Sequence, residues 1–171
     1  DNINIIPTIA DFLLAKKLEG ETVVVSPDVG GVTRARELAA RLGAPLAIID
    51  RRQETKQGPD IITVIGEVAD KTAILFDDII DTAGTMCKAA EAVMAAGAER
   101  VLACAAHGVL SGAAVERISK SVMDKVVITD TISPRPDVLA EKRIKVVTVA
   151  ELIAQAIRRT HREESISSLF E

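Results

Sequence analysis

ILFDDIIDTAGT, residues 74–85, runs apolar residues into two adjacent carboxylates, adds a third, and ends in small residues and hydroxyls. Behind it, Met86, Ala89, Ala90, Val93 and Met94 recur at helical spacing until Gly97. An apolar run, a polar turn and an amphipathic stretch read as strand, loop and helix. A second junction of this kind lies upstream. TVVVS (22–26) reads as a buried strand, PDVGG as a turn, and 32–42 as a helix whose Val32, Ala35, Leu38, Ala39 and Leu42 share one face. Gly43 is the stop signal for that helix.

The rest of the chain continues the alternation. Further strands are expected at 46–49, 101–106, 126–129 and 144–149, and helices near 113–119 and from about 150 to Thr160. The segment 50–60 is polar and reads as a long exposed loop. The apolar runs 61–68 and 72–76, separated by ADK, are expected to pair as a hairpin. SPRPD reads as a turn, and the chain closes with EESISSLFE. Short buried strands alternating with helices predict one α/β domain, a mostly parallel sheet with helices on both faces. Ligands of such sheets sit beyond the carboxyl ends of the strands.

Composition narrows the function. The 171 residues suit one domain with a sizeable core. A net charge of −4, no Trp, no Tyr and three Phe argue against a nucleic-acid grip or base-stacking platforms. No apolar run approaches a membrane span, and no signal peptide is visible. Cys87 and Cys104 match no metal or redox spacing and are expected to be reduced, as in a cytoplasmic protein. No Gly-Lys-Ser/Thr phosphate loop and no dinucleotide fingerprint occurs.

Asp77 and Asp78 are acceptor-only groups when ionised, so they seek hydroxyl donors such as a sugar cis-diol, or a cation such as magnesium. Thr82, Ala83, Gly84 and Thr85 open the following helix, where unpaired N–H groups and the dipole favour an anion. A diol seat beside an anion seat fits a sugar phosphate. Asp81 has three open roles: helix cap, sugar orienter or base. The plainer alternative is a capped helix with solubilising carboxylates.

The loop resembles the phosphoribosyl diphosphate (PRPP) signature of type I phosphoribosyltransferases. With SPDVGGVTRAR, AHGVLSGAAVERI and ESISSLF, the whole chain resembles the second half of the ribose-phosphate diphosphokinases, the PRPP synthetases. The resemblance implies a type I phosphoribosyltransferase-like fold. It also implies transfer of diphosphate from Mg-ATP to ribose 5-phosphate, giving PRPP and AMP. Asp77 and Asp78 would hold the ribose hydroxyls, and Asp81, Thr82, Ala83, Gly84 and Thr85 the 5-phosphate. Asp28 would help hold Mg2+, with Gly30 and Gly31 near the pyrophosphate.

Arg51 and Arg52, followed by Lys56, would belong to the family's catalytic loop. Here Arg51 stands where the family has Lys, and Gln53 where it has a second Arg. Ser165, Ile166, Ser167 and Phe170 resemble an allosteric phosphate or ADP site between subunits of a homo-oligomer, with Asp1 and Asn2 as other contributors. Arg34 and Arg36 are expected to be surface or interface charges, and His107 and His161 receive no chemical role. Two other functions stay open: a PRPP-using phosphoribosyltransferase, and a non-catalytic regulatory homologue, which the altered loop favours. The start at Asp1 fits the boundary between the family's two halves, so this half alone is expected to be inactive.

Overall fold

Runs such as TVVVS and TAILF are apolar on both faces, and strands of that kind are stable only between two covering layers. In the computed structural model, which describes residues 3–53 and 60–169, both lie at the centre of a seven-stranded sheet. The elements run α1 (Ile6–Ala15), β1 (Thr22–Ser26), α2 (Val32–Leu42), β2 (Leu46–Gln53), β3 (Asp60–Ile65), β4 (Thr72–Ile80) and α3 (Gly84–Ala95). They continue with β5 (Arg100–Gly108), α4 (Ala114–Lys120), β6 (Lys125–Thr129), α5 (Pro136–Ala140), β7 (Ile144–Val147), α6 (Ala150–His161) and a 3-10 turn at Ser167–Leu169.

Strand order is β3-β2-β1-β4-β5-β6-β7, parallel throughout except for β3. The order reverses between β1 and β4, and such a switch point opens a crevice at the carboxyl ends of the strands. The two loops singled out from sequence leave β1 and β4, so the topology brings them to this crevice. The mostly parallel α/β architecture read from the sequence is therefore present.

Side chains alternate between two apolar layers, as the period of a strand requires. Val23, Val25, Ala73, Leu75, Ala103 and Val126 pack with Met86, Ala90 and Val93 of α3 and Ile118 of α4. Val24, Ile74, Phe76 and Cys104 face Ile9 and Leu13 of α1 and Leu38 of α2 on the other side. Gly43 ends α2 at φ 63°, a left-handed position where glycine carries no Cβ penalty, and its N–H reaches the last carbonyls of the helix.

The expected hairpin between 61–68 and 72–76 does not form. β3 pairs antiparallel with β2, while β4 pairs with β1 and β5. The physical reason is burial. β4 begins fully buried and belongs in the centre, whereas Ile62 to Ile65 alternate between half-buried and exposed, as on an edge strand. Residues 50–53 are correspondingly strand rather than loop. Helix α1 was not anticipated, and α5 forms within the SPRPD region with Pro136 at its first turn. Lys56, Asp1, Asn2 and Phe170 lie outside the described residues. No helix among the described residues is long and apolar enough to cross a membrane.

Candidate functional site

β4 does not stop before the carboxylates. It runs on through Ile80, with Asp77 opposite Ala105 and Ile79 opposite His107, so both acids stand on the strand's last residues. The Asp77 side chain is only 16% exposed and that of Asp78 is 49% exposed. Asp77 also accepts the Asp78 N–H at 2.9 Å. Burial first, then the negative charge of Asp78 and Asp28, pushes the Asp77 carboxyl up to about 6, against the lowering effect of that N–H.

Asp28 faces this pair from the β1 loop. Its Oδ1 accepts the Gly31 N–H at 2.8 Å, and Ser26 Oγ donates to its carbonyl at 2.6 Å. A Cβ on Gly31 would lie 2.9 Å from Ser26 Oγ, 3.7 Å from Asp28 Oδ1 and 3.8 Å from Asp77 Oδ1. The close approach is to Ser26, so the absent side chain lets this turn fold back over the end of its own strand, with Asp77 at ordinary contact distance.

Arg34 departs from the sequence reading as a surface charge. One turn into α2, its Nη2 sits 3.0 Å from Asp78 Oδ2 and 3.6 Å from Asp77 Oδ1, and its Nε is buried without a partner. The longer distance to Asp77 explains why burial outweighs the cation there. The sequence held a weak signal, since Arg34 follows Gly31 by three residues, which brings it back over the loop.

At the start of α3, Ala83 adopts φ 62° and no side chain caps the helix. Its first N–H groups therefore lack a side-chain acceptor, the arrangement that receives anions. Asp81 is not the cap: its carboxylate accepts Ser111 Oγ at 2.5 Å. Arg117 Nη1 of α4 donates to the Thr82 carbonyl at 2.7 Å. Neither partner was assigned from sequence, because each comes from a separate element.

Asp28, Asp77, Ile79, Ile80, Asp81, Thr82, Ala83, Gly84, Thr85 and Met86 line one cavity of about 340 Å3. Seven of the predicted site residues, Asp28, Asp77, Asp81, Thr82, Ala83, Gly84 and Thr85, thus lie together at one sheet edge; Asp78 stands beside the cavity, tied to Arg34. Arg51 and Arg52 do not line it. Both arginines are exposed near the end of β2, Arg51 opposite Ile62 and Arg52 opposite Ile61 in the strand register, and Arg52 pairs with Asp50 at 2.8 Å. Ser165, Ile166 and Ser167 lie at the end of α6, where Arg159 Nη1 donates to the Ser165 carbonyl at 3.0 Å and to Ser168 Oγ. His107 Nδ1 is hydrogen-bonded to Thr131 Oγ1 at 2.8 Å and is not among the cavity-lining residues. A larger recess of about 470 Å3 lies at the opposite strand ends, among Phe12, Lys16, Arg100, Lys125 and Ile144, away from both loops.

Among the described residues, no cluster of three or more His, Cys, Asp or Glu is placed to hold a metal. Two facing carboxylates still suit magnesium, which binds through one or two carboxylates, waters and substrate phosphates. Burial and, after it, the negative charge of Asp78 and Asp28 raise Asp77, and a bound cation would offset both.

Residues 52–171 match the model of the phosphoribosyl synthetase-associated domain family. The ribose-phosphate pyrophosphokinase of Brucella melitensis is 48% identical over 171 residues, covering 100% of this chain and 55% of that protein. The crystal structure of phosphoribosylpyrophosphate synthetase from Mycobacterium smegmatis superposes with a TM-score of 0.84 at 32% identity, covering 93% of this chain and 51% of that one. A purine phosphoribosyltransferase from Pyrococcus horikoshii shares the fold, with a TM-score of 0.53 at 24% identity over 82% of this chain and 83% of that one. The chain spans about half the length of the curated relatives it matches.

Proposed function

Because the chain belongs to the phosphoribosyl synthetase-associated domain family, we propose that it is the ribose-5-phosphate-binding half of a ribose-phosphate pyrophosphokinase. The observation that carries this reading is the cavity shared by carboxylates, the half-buried Asp77 among them, and an uncapped helix start. A sugar phosphate needs acceptors for its hydroxyls at one end and N–H donors for its phosphate at the other.

In this reading Asp77 and Asp78 accept the ribose hydroxyls, with Arg34 displaced or re-paired as the sugar enters. Thr82, Ala83, Gly84 and Thr85 surround the 5-phosphate, whose charge is also favoured by the α3 dipole. Asp81, held by Ser111, fixes the turn from outside the phosphate. Asp28 and Asp77 would hold Mg2+, which supplies charge neutralisation on transferred phosphoryl groups. Diphosphoryl transfer from ATP is mostly positioning and electrostatics, and Arg51 and Arg52 of the β2–β3 ribbon would close on the developing charge. Both are exposed and neither lines the cavity, so in this reading the ribbon approaches only with a donor present.

The tail residues Ser165, Ile166, Ser167 and Phe170 are proposed to bind phosphate or ADP within a homo-oligomer. A non-catalytic regulatory role is the second reading, favoured by Arg51 and Gln53 standing where the resemblance implies Lys and Arg. Calorimetric titration of the 171-residue chain with ribose 5-phosphate, with and without magnesium, tests the main proposal. Saturable binding strengthened by magnesium is expected. No binding in either condition would remove it.

A further inference from the structure

Two residues with side chains hold left-handed backbones beside the cavity. Ala83 has φ 62° in the turn that opens α3, and Leu110, fully buried, has φ 50° in the turn after β5. Such conformations are disfavoured for residues bearing a Cβ and persist only where the surroundings hold them. The holding groups are visible. Ser111 N–H donates to the Asp81 carbonyl at 3.0 Å, and the Val109 and Leu110 N–H groups both donate to the Ile80 carbonyl. Two arginines then take the carbonyls that the turns leave over. Arg117 Nη1 donates to Thr82 O at 2.7 Å, and Arg135 Nη2 donates to Leu110 O at 2.9 Å. The second turn is thus fastened to the first, and each is held by one guanidinium.

We propose that Arg117 is a positioning residue for the anion turn. By holding the Thr82 carbonyl it keeps Ala83 left-handed, so that the first amides of α3 face the cavity before any ligand arrives. Arg135 supports the arrangement one step back, by fixing the turn that carries Ser111. A charge-assisted hydrogen bond to a carbonyl is strong and directional, which suits it to hold one peptide plane. The inference rests on the reading of this turn as the phosphate seat. The rival account is that Arg117 only adds positive charge near an anion.

The test uses the whole 171-residue chain in four forms: unaltered, Arg117→Ala, Ala83→Gly and the double variant. Each is titrated with ribose 5-phosphate, and ligand-free amide hydrogen exchange is followed at Cys87, whose N–H donates to the Ala83 carbonyl at 3.0 Å. Arg117→Ala is expected to weaken binding about tenfold and to speed exchange at this amide by a similar factor. Glycine adopts the left-handed region freely, so in the Ala83→Gly background the loss from Arg117→Ala should shrink to about two- or threefold. Equal losses in both backgrounds, or unchanged exchange, would overturn the positioning role. Arg117→Lys keeps the charge without the planar fork. Recovery of affinity by this variant while the Cys87 amide still exchanges fast would likewise overturn it. If the unaltered chain binds no ribose 5-phosphate, the phosphate reading fails, and the exchange data alone still decide whether Arg117 holds the turn.

Discussion

Asp77 has a side chain 16% exposed, with Asp78 beside it and Asp28 across the crevice. Its carboxyl is raised to about 6, above the ordinary value of 3.8. Between those two values the folded state holds a proton that the unfolded chain releases. The stabilising contribution is therefore full below about pH 4 and is lost as pH rises through about 6. Asp77→Asn should remove this penalty and raise stability at pH 8 by about 1 to 3 kcal/mol, with no gain at pH 4. Thermal melts of both chains at the two pH values check this. A lower melting temperature for the variant at pH 8 would mean that Arg34 already compensates the buried charge. The position of these carboxylates at the sheet edge was legible in the sequence, because they follow an apolar run directly; the raised Asp77 carboxyl was not, because it depends on burial and on Asp28 from another loop. Arg34, Ser111 and Arg117 were not assigned, since their contacts join residues about 30 or more apart along the chain.

At the scale of elements, periodicity marked β1, α2 and α3 closely, because each has a full apolar face and a glycine at or near its end. It misplaced β3, since short apolar runs say nothing about which neighbour they pair with. That choice follows from the buried, two-faced β4 taking the centre of the sheet. Leu38 of α2 is fully buried in the layer against Ile74 and Phe76, so Leu38→Ala should cost about 2 to 5 kcal/mol, measured by urea unfolding. A cost under about 1 kcal/mol would show that α2 packs loosely, and with it the helix that carries Arg34. The α6 tail calls for its own test. Arg159 fastens the Ser165 carbonyl, so Arg159→Ala, and deletion of residues 165–171, should both weaken phosphate or ADP binding and change the oligomeric state. Sedimentation and calorimetry showing no change in either property would leave the tail without the proposed role.

At the scale of the whole molecule, the switch point between β1 and β4 supplies the crevice proposed to take a sugar phosphate. Among the described residues there is no evident seat for adenine beside it. Phe76 is buried in the core and Phe12 lines the recess at the opposite strand ends, so no aromatic face among the described residues lines the crevice. The 171-residue chain alone is accordingly expected to release no AMP from ATP and ribose 5-phosphate. Ribose-5-phosphate-dependent AMP release by the purified chain would overturn that expectation. The central claim is the diol-plus-phosphate seat itself, and one measurement reaches it directly: the affinities of ribose 5-phosphate and 2-deoxyribose 5-phosphate, compared by calorimetry in the presence of magnesium. The two ligands share the phosphate and differ by the hydroxyl that the carboxylate pair should accept. Ribose 5-phosphate should bind about tenfold to a hundredfold more tightly, a difference of about 1.4 to 3 kcal/mol. Asp78→Asn should reduce that preference while leaving the melting temperature nearly unchanged. Equal affinities for the two sugars would contradict the account.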